Sequence, residues 1–261
     1  MKMVKKILLG TLAVAAVLSL ASCGKIEDDK DNIIKKNSST KYSIDYSNDS
    51  GSVKRAYEST SLKHAGGLVK VKFDNKDVGT SKMGVIFDLH ESNGAKQFYI
   101  IGLGGNNTVY NFYVSKFTNV TDIQADNFGT KLSSNPAVEN EIKALSATNK
   151  ISVPVASDNS VTMYVYFKAN LNGSYDYAVL NLTEERASAI KSAFDSTTLA
   201  SFTTAEKLSS GTITGAFTAV ATENSLPQNQ LAVYAMVAAN KSLKGSWEYV
   251  KTYKEAEEIE E

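Results

Sequence analysis

A chain of 261 residues carrying 28 basic and 28 acidic side chains has room for one large domain or two small ones. It has no charge excess with which to grip a phosphate backbone, so nucleic acid is not an expected partner. One cysteine and two histidines supply neither a disulfide framework nor a Cys/His zinc site, and no cofactor or metal is expected.

In chain order, Lys2, Lys5 and Lys6 form a basic head, and residues 7–20 follow without a charge. That apolar run of about 14 residues is short of the roughly 20 a spanning helix needs. Small residues then lead into Leu20-Ala21-Ser22-Cys23-Gly24. A positive head, an apolar stretch and small residues at the cut are the order of a secretory signal. The stretch resembles the lipobox of bacterial lipoproteins. The resemblance implies a signal peptide over 1–22, cleavage before Cys23, lipid on its thiol, and a protein held to the membrane of the bacterial cell envelope. In a diderm cell that means the outer membrane or cell surface. Removing residues 1–22 takes three lysines and no acid, so the remainder is slightly acidic.

Residues 23–41 are polar and mixed in charge, which predicts a disordered tether from the lipidated cysteine. From 42 to 253 the dominant period is two. Strands are predicted at Gly67–Phe73, Gly84–His90, Gln97–Leu103 and Thr108–Phe117. Gly66-Gly67, Ser92-Asn93-Gly94 and Gly104-Gly105-Asn106-Asn107 read as turns. A short helix is expected over 135–145. Ile151–Val155 reads as an edge strand because of Pro154. Ser160–Lys168 alternates, with Val161, Met163, Val165 and Phe167 inward. Asn172-Gly173 then signals a hairpin into Tyr175–Leu182. Thr183-Glu184-Glu185 starts a helix with Ala187, Ile190 and Phe194 on one stripe. Further strands are expected at Gly211–Thr222, Gln230–Ala239 and Ser246–Tyr253, before an acidic frayed tail over 254–261.

About ten strands without βαβ units predict an all-β fold. The expected architecture is a two-layer antiparallel β-sandwich, jelly-roll-like, with one or two short helices. Met83–Gly105, with its paired GVIF and FYIIGL strands, and Ser246-Trp247-Glu248-Tyr249-Val250 are similar to strands of concanavalin A-like, laminin G-like sandwiches. Those modules are jelly rolls, and many bind glycans or host proteins. None of their metal or catalytic motifs is matched here.

Two groups of side chains stand out as site candidates. On the strand 84–90, alternation puts Asp88 and His90 on one side with Glu91 beside them. This is either a polar site or a solvated strand face. The chain has 13 tyrosines. Of these, Tyr99, Tyr113, Tyr164, Tyr166, Tyr175 and Tyr177 are expected opposite the apolar stripes, where rings could stack on sugars or on an extracellular protein. Tyrosine also pairs well within sheets without any ligand. No paired-carboxylate strand of the kind retaining glycosidases use, and no G-x-S-x-G elbow, occurs. The expectation is a non-enzymatic, membrane-anchored lipoprotein binding a glycan or extracellular protein. The alternatives are a glycan-active hydrolase using Asp88 and Glu91, and a structural envelope lipoprotein with no small ligand.

Overall fold

The computed structural model describes residues 33–92, 94–106, 109–120 and 150–255. Cys23, the signal stretch and the helix expected over 135–145 lie outside them. From Ile33 onward the chain forms one compact unit.

Twelve strands join in one antiparallel ladder. They are β1 (Ile34–Lys36), β2 (Lys41–Asn48), β3 (Lys54–Phe73), β4 (Lys82–Ser92), β5 (Ala95–Asn106) and β6 (Val109–Val120). Then come β7 (Lys150–Ser152), β8 (Val161–Asn170), β9 (Ser174–Leu180), β10 (Lys207–Ile213), β11 (Asn229–Val237) and β12 (Lys241–Glu255). Among the described residues one α-helix, α1 (Glu184–Ser192), interrupts them between β9 and β10.

The 20-residue β3 belongs to both layers. Its first half, Lys54–His64, pairs with β11. Its second half pairs with β12 on one edge and β8 on the other. The front layer therefore runs β3–β11–β4–β5–β6–β7, and the back layer β1–β2–β12–β3–β8–β9–β10. Gly66 and Gly67 lie inside this strand, not in a turn. A Cβ on Gly66 would sit 2.7 Å from the Phe167 carbonyl oxygen, so the close approach of β3 to β8 requires glycine.

The layers meet through aromatic rings. Phe87 on β4 stacks on Phe167 of β8, with centroids 4.8 Å apart, and meets Tyr175 of β9 edge-on at 5.3 Å. Phe73 on β3 packs edge-on against Tyr110 of β6. Val161, Met163, Val165 and Phe167 face this core, as their alternation predicts. A second apolar cluster, including Ile86, Phe98, Ile100, Phe117 and Tyr234, lies on the other side of the front layer.

The helix starts where Thr183 predicts. The Thr183 hydroxyl accepts from the Arg186 N–H at 3.1 Å, with Glu184 and Glu185 in the first turn. This places negative charge and an acceptor at the helix N-terminus. Ala187 and Ile190 are buried, and Phe194 opens the one-turn 3₁₀ segment that follows. The hairpin at Asn172-Gly173 also forms, with Gly173 at φ +84° and Asn172 Oδ1 accepting from the Ser174 hydroxyl.

Four boundaries differ from expectation. The tether predicted to run to residue 41 does not include residues 33–41 as disordered chain: Ile33 and Ile34 are buried and β1 pairs Ile34 with Ile44. Two isoleucines among charged neighbours suffice to add a short strand. The tail expected from 254 does not include Lys254 and Glu255, which belong to β12, with Lys254 pairing to Glu223 at 3.1 Å. Gly104 and Gly105 are part of β5 and not a turn, since they pair with Asn111 and Tyr110. The strand expected over 211–222 stops at Ile213, where the chain turns through Gly215 at φ +65°.

Candidate functional site

Strand register slips at adjoining places across the front layer. β4 slips against β5 between Phe87 and His90. β11 slips against both β3 and β4 between Gln230 and Ala232. β5 slips against β6 between Lys96 and Phe98. Bulges re-aim side chains and bend their strands. Aligned across five neighbouring strands, they crease the sheet, and a small pocket of about 100 Å³ lies on the crease. Its walls are Tyr57 and Ser59 of β3, Leu89, His90 and Glu91 of β4, Lys96 of β5 and Gln230 of β11.

Asp88 sits at the bulge with φ +56°, a left-handed conformation that aspartate tolerates better than most residues. This twist breaks the alternation read from sequence. Leu89 joins Ile86 in the second apolar cluster, and Asp88 turns inward. Asp88 Oδ1 accepts from the Tyr175 hydroxyl at 3.2 Å and from Asn229 Nδ2 at 2.5 Å. Burial raises the Asp88 carboxyl above the ordinary aspartate value. The hydrogen bonds from Asn229 and Tyr175 and the charges of His90 and Lys116 oppose that rise. Burial first, and the Asp88 charge second, hold the Tyr175 hydroxyl far above its usual value, so it remains a donor.

His90 points its Nδ1 at the Asp88 backbone carbonyl, 2.9 Å away, and stands 3.9 Å from Asp88 Oδ1. Of the three candidate polar residues, His90 and Glu91 therefore share the pocket. The Asp88 carboxylate faces the core and holds the bulge. Glu91 and Lys96 are direct partners across β4 and β5, yet they make no ion pair among the described residues. No group of three or more His, Cys, Asp or Glu side chains is placed to hold a metal ion among the described residues. His64, the other histidine, is buried in the β3 crossover, and burial lowers it to about 4. It stays neutral at physiological pH.

The tyrosine platform expected from sequence is not on the surface. None of Tyr99, Tyr113, Tyr164, Tyr166, Tyr175 and Tyr177 is more than 8 % exposed. Tyr99 and Tyr175 pack with Phe87 between the layers. Tyr177 lies against Gly211 across β9 and β10. Tyr113 fills the space over Gly102, with the Lys82 ammonium 4.7 Å from its ring centre.

Tyr166 is covered by the segment after α1, where it packs on Phe194 and Phe202 and donates to the Thr197 carbonyl at 3.0 Å. Tyr164 neighbours Glu184 at the helix start, where Lys70 and Glu184 form an ion pair. Alternation identified two faces of β8, but α1 and its 3₁₀ turns cover the second, so both are buried. Beside them Lys168 is buried, and its ammonium donates to the carbonyls of Phe194, Asp195 and Thr197 at 3.3, 2.6 and 3.2 Å. It also lies 4.5 Å above the Tyr253 ring. Burial lowers its pKa, while Glu223, Asp195 and Asp176 counter that effect.

Sequence reasoning missed Tyr57, Ser59, Lys96 and Gln230. They come from three separated strands, and only the coincidence of register slips brings them together. No local signal in residues 54–64 marks that crossing.

The chain matches no protein-family model and no curated protein. Among solved structures it is similar to a legume lectin-like domain from Entamoeba histolytica. The two are 12 % identical, the match covers 84 % of this chain and 87 % of that one, and the TM-score is 0.39.

Proposed function

We propose that this is a lipid-anchored protein of the bacterial cell envelope whose β-sandwich binds a glycan, without catalysis, at the crease pocket. The observation that carries the binding reading is the pocket itself. Its lining residues carry a tyrosine ring, a hydroxyl, an amide, an imidazole, a carboxylate and an ammonium. Sugars are bound through such mixtures of planar polar groups and one apolar ring face. The anchor rests on the basic head, apolar run and Cys23 of the sequence.

The binding test is a glycan array probed with the full-length chain, followed by titration of any hit against Gln230→Ala and Glu91→Gln. Loss of roughly tenfold in affinity in either variant is expected. A silent array from folded protein removes the binding claim. For the anchor, mass spectrometry of the native N-terminus should show an acylated Cys23, and Cys23→Ala should leave the membrane fraction. A free thiol preceded by leader residues would end that reading.

A structural envelope role with no small ligand is the second reading. Burial of all six candidate tyrosines favours it, because those rings then serve packing. The same burial disfavours an extracellular protein docking on that face.

A further inference from the structure

Which nitrogen of an imidazole carries the proton is set by the hydrogen bond its other nitrogen makes. A backbone carbonyl can only accept. The 2.9 Å contact between His90 Nδ1 and the Asp88 carbonyl therefore requires a proton on Nδ1, and neutral His90 must carry its lone pair on Nε2. The bulge makes this contact available, because Asp88 at φ +56° turns its peptide while its side chain is held by Tyr175 and Asn229. The Nδ1 edge is thus occupied by the protein. His90 lines the pocket, and Nε2 is the ring nitrogen left to meet a ligand.

We infer that His90 is the specificity-determining acceptor of this pocket, fixed as the Nδ1–H tautomer by the Asp88 carbonyl, and that it selects sugars through a hydroxyl or amino donor over carboxylate-bearing ones. The Glu91 carboxylate on the same wall is a second acceptor. Lys96, across from Glu91, makes no ion pair with it, so both acceptors face a ligand's donors. A ligand carboxylate would place an acceptor against the Nε2 lone pair and a negative charge beside Glu91. The inference rests on the glycan reading only in its choice of ligand, and the tautomer can be tested without any sugar.

Long-range ¹H–¹⁵N NMR of the full-length chain, recorded at alkaline pH where the imidazole ¹⁵N shifts no longer change with pH, reads the tautomer directly. The expected result is a protonated Nδ1 and an unprotonated Nε2 at His90. A protonated Nε2, or averaging between the two forms, overturns the assignment.

The same sample is then titrated with methyl glucoside, glucosamine and glucuronate. Shifts at His90, Glu91 and Gln230 with the first two at lower concentration than with glucuronate are expected. Preference for glucuronate overturns the selectivity. His90→Asn keeps a donor for the Asp88 carbonyl but places no acceptor at the Nε2 position, and should weaken sugar binding roughly five- to tenfold. His90→Gln, whose amide reaches the Nε2 position, should lose less. Equal losses in both variants would contradict the acceptor role. If none of the sugars binds while Nδ1 is protonated, the glycan reading fails and the tautomer assignment stands.

Discussion

Asp88 is the residue through which core and pocket are tied, and its replacement separates three effects. In Asp88→Ala the Tyr175 hydroxyl and the Asn229 amide both lose their acceptor. The buried Tyr175 hydroxyl left unsatisfied costs about 1–3 kcal/mol, and the half-buried Asn229 amide costs less because water can reach it. Alanine at φ +56° adds roughly 1 kcal/mol of backbone strain. Removing a buried charge returns part of this, which leaves a net loss of about 2–4 kcal/mol. Asp88→Gly lacks the strain and should recover about 1 kcal/mol of it.

Asp88→Asn keeps the acceptor, because both donors use Oδ1 and the amide nitrogen can take the place of the other oxygen. Since the folded carboxyl is raised, the folded state holds its proton more tightly than the unfolded chain. The carboxyl's contribution to stability is therefore greatest below the unfolded value near 3.9 and falls as pH rises through the raised folded value. Asn does not titrate, so Asp88→Asn should gain on the natural chain as pH rises above the unfolded aspartate value near 3.9. Urea unfolding followed by the fluorescence of Trp247, the single tryptophan and a fully buried one, measures all three variants. Asp88→Ala unfolding within about 0.5 kcal/mol of the natural chain would refute the reasoning, as would an Asp88→Asn offset that does not change with pH.

Two further outcomes concern packing. Lys168→Met leaves three carbonyls after α1 without their ammonium, and hydrogen bonds to a charged group contribute about 1.5–3 kcal/mol. Thermal unfolding should come roughly 5–10 °C earlier, with amide exchange accelerated over residues 184–202. Uniform exchange across the chain would count against the pinning role. Gly102→Ala would drive a methyl into the Tyr113 ring, at a cost of about 1–3 kcal/mol. Combined with Tyr113→Ala it should cost less than the two changes separately, and simple additivity would show that the ring does not lie there.

The amino-acid sequence by itself determined the secondary structure of much of the chain and the class of the fold. Alternation over 161–168 placed Val161, Met163, Val165 and Phe167 in the core, and Thr183 and Asn172-Gly173 marked a helix start and a hairpin. Those signals are local: they depend on residues two to four positions apart, and the backbone answers to them directly.

What lay opposite each stripe could not be found that way. A period of two says that Tyr164 and Tyr166 share a face, but whether that face meets water depends on the later helix and the segment after it, through Phe194 and Phe202, returning to cover it. Asp88 shows the limit most clearly. One bulge residue reverses the alternation after Phe87, sends the carboxylate inward, and leaves His90 and Glu91 beside Gln230 from a strand that follows more than a hundred residues on. Register is a property of paired strands. It is settled by how side chains fit between layers, so only the folded sandwich decided where the pocket would open.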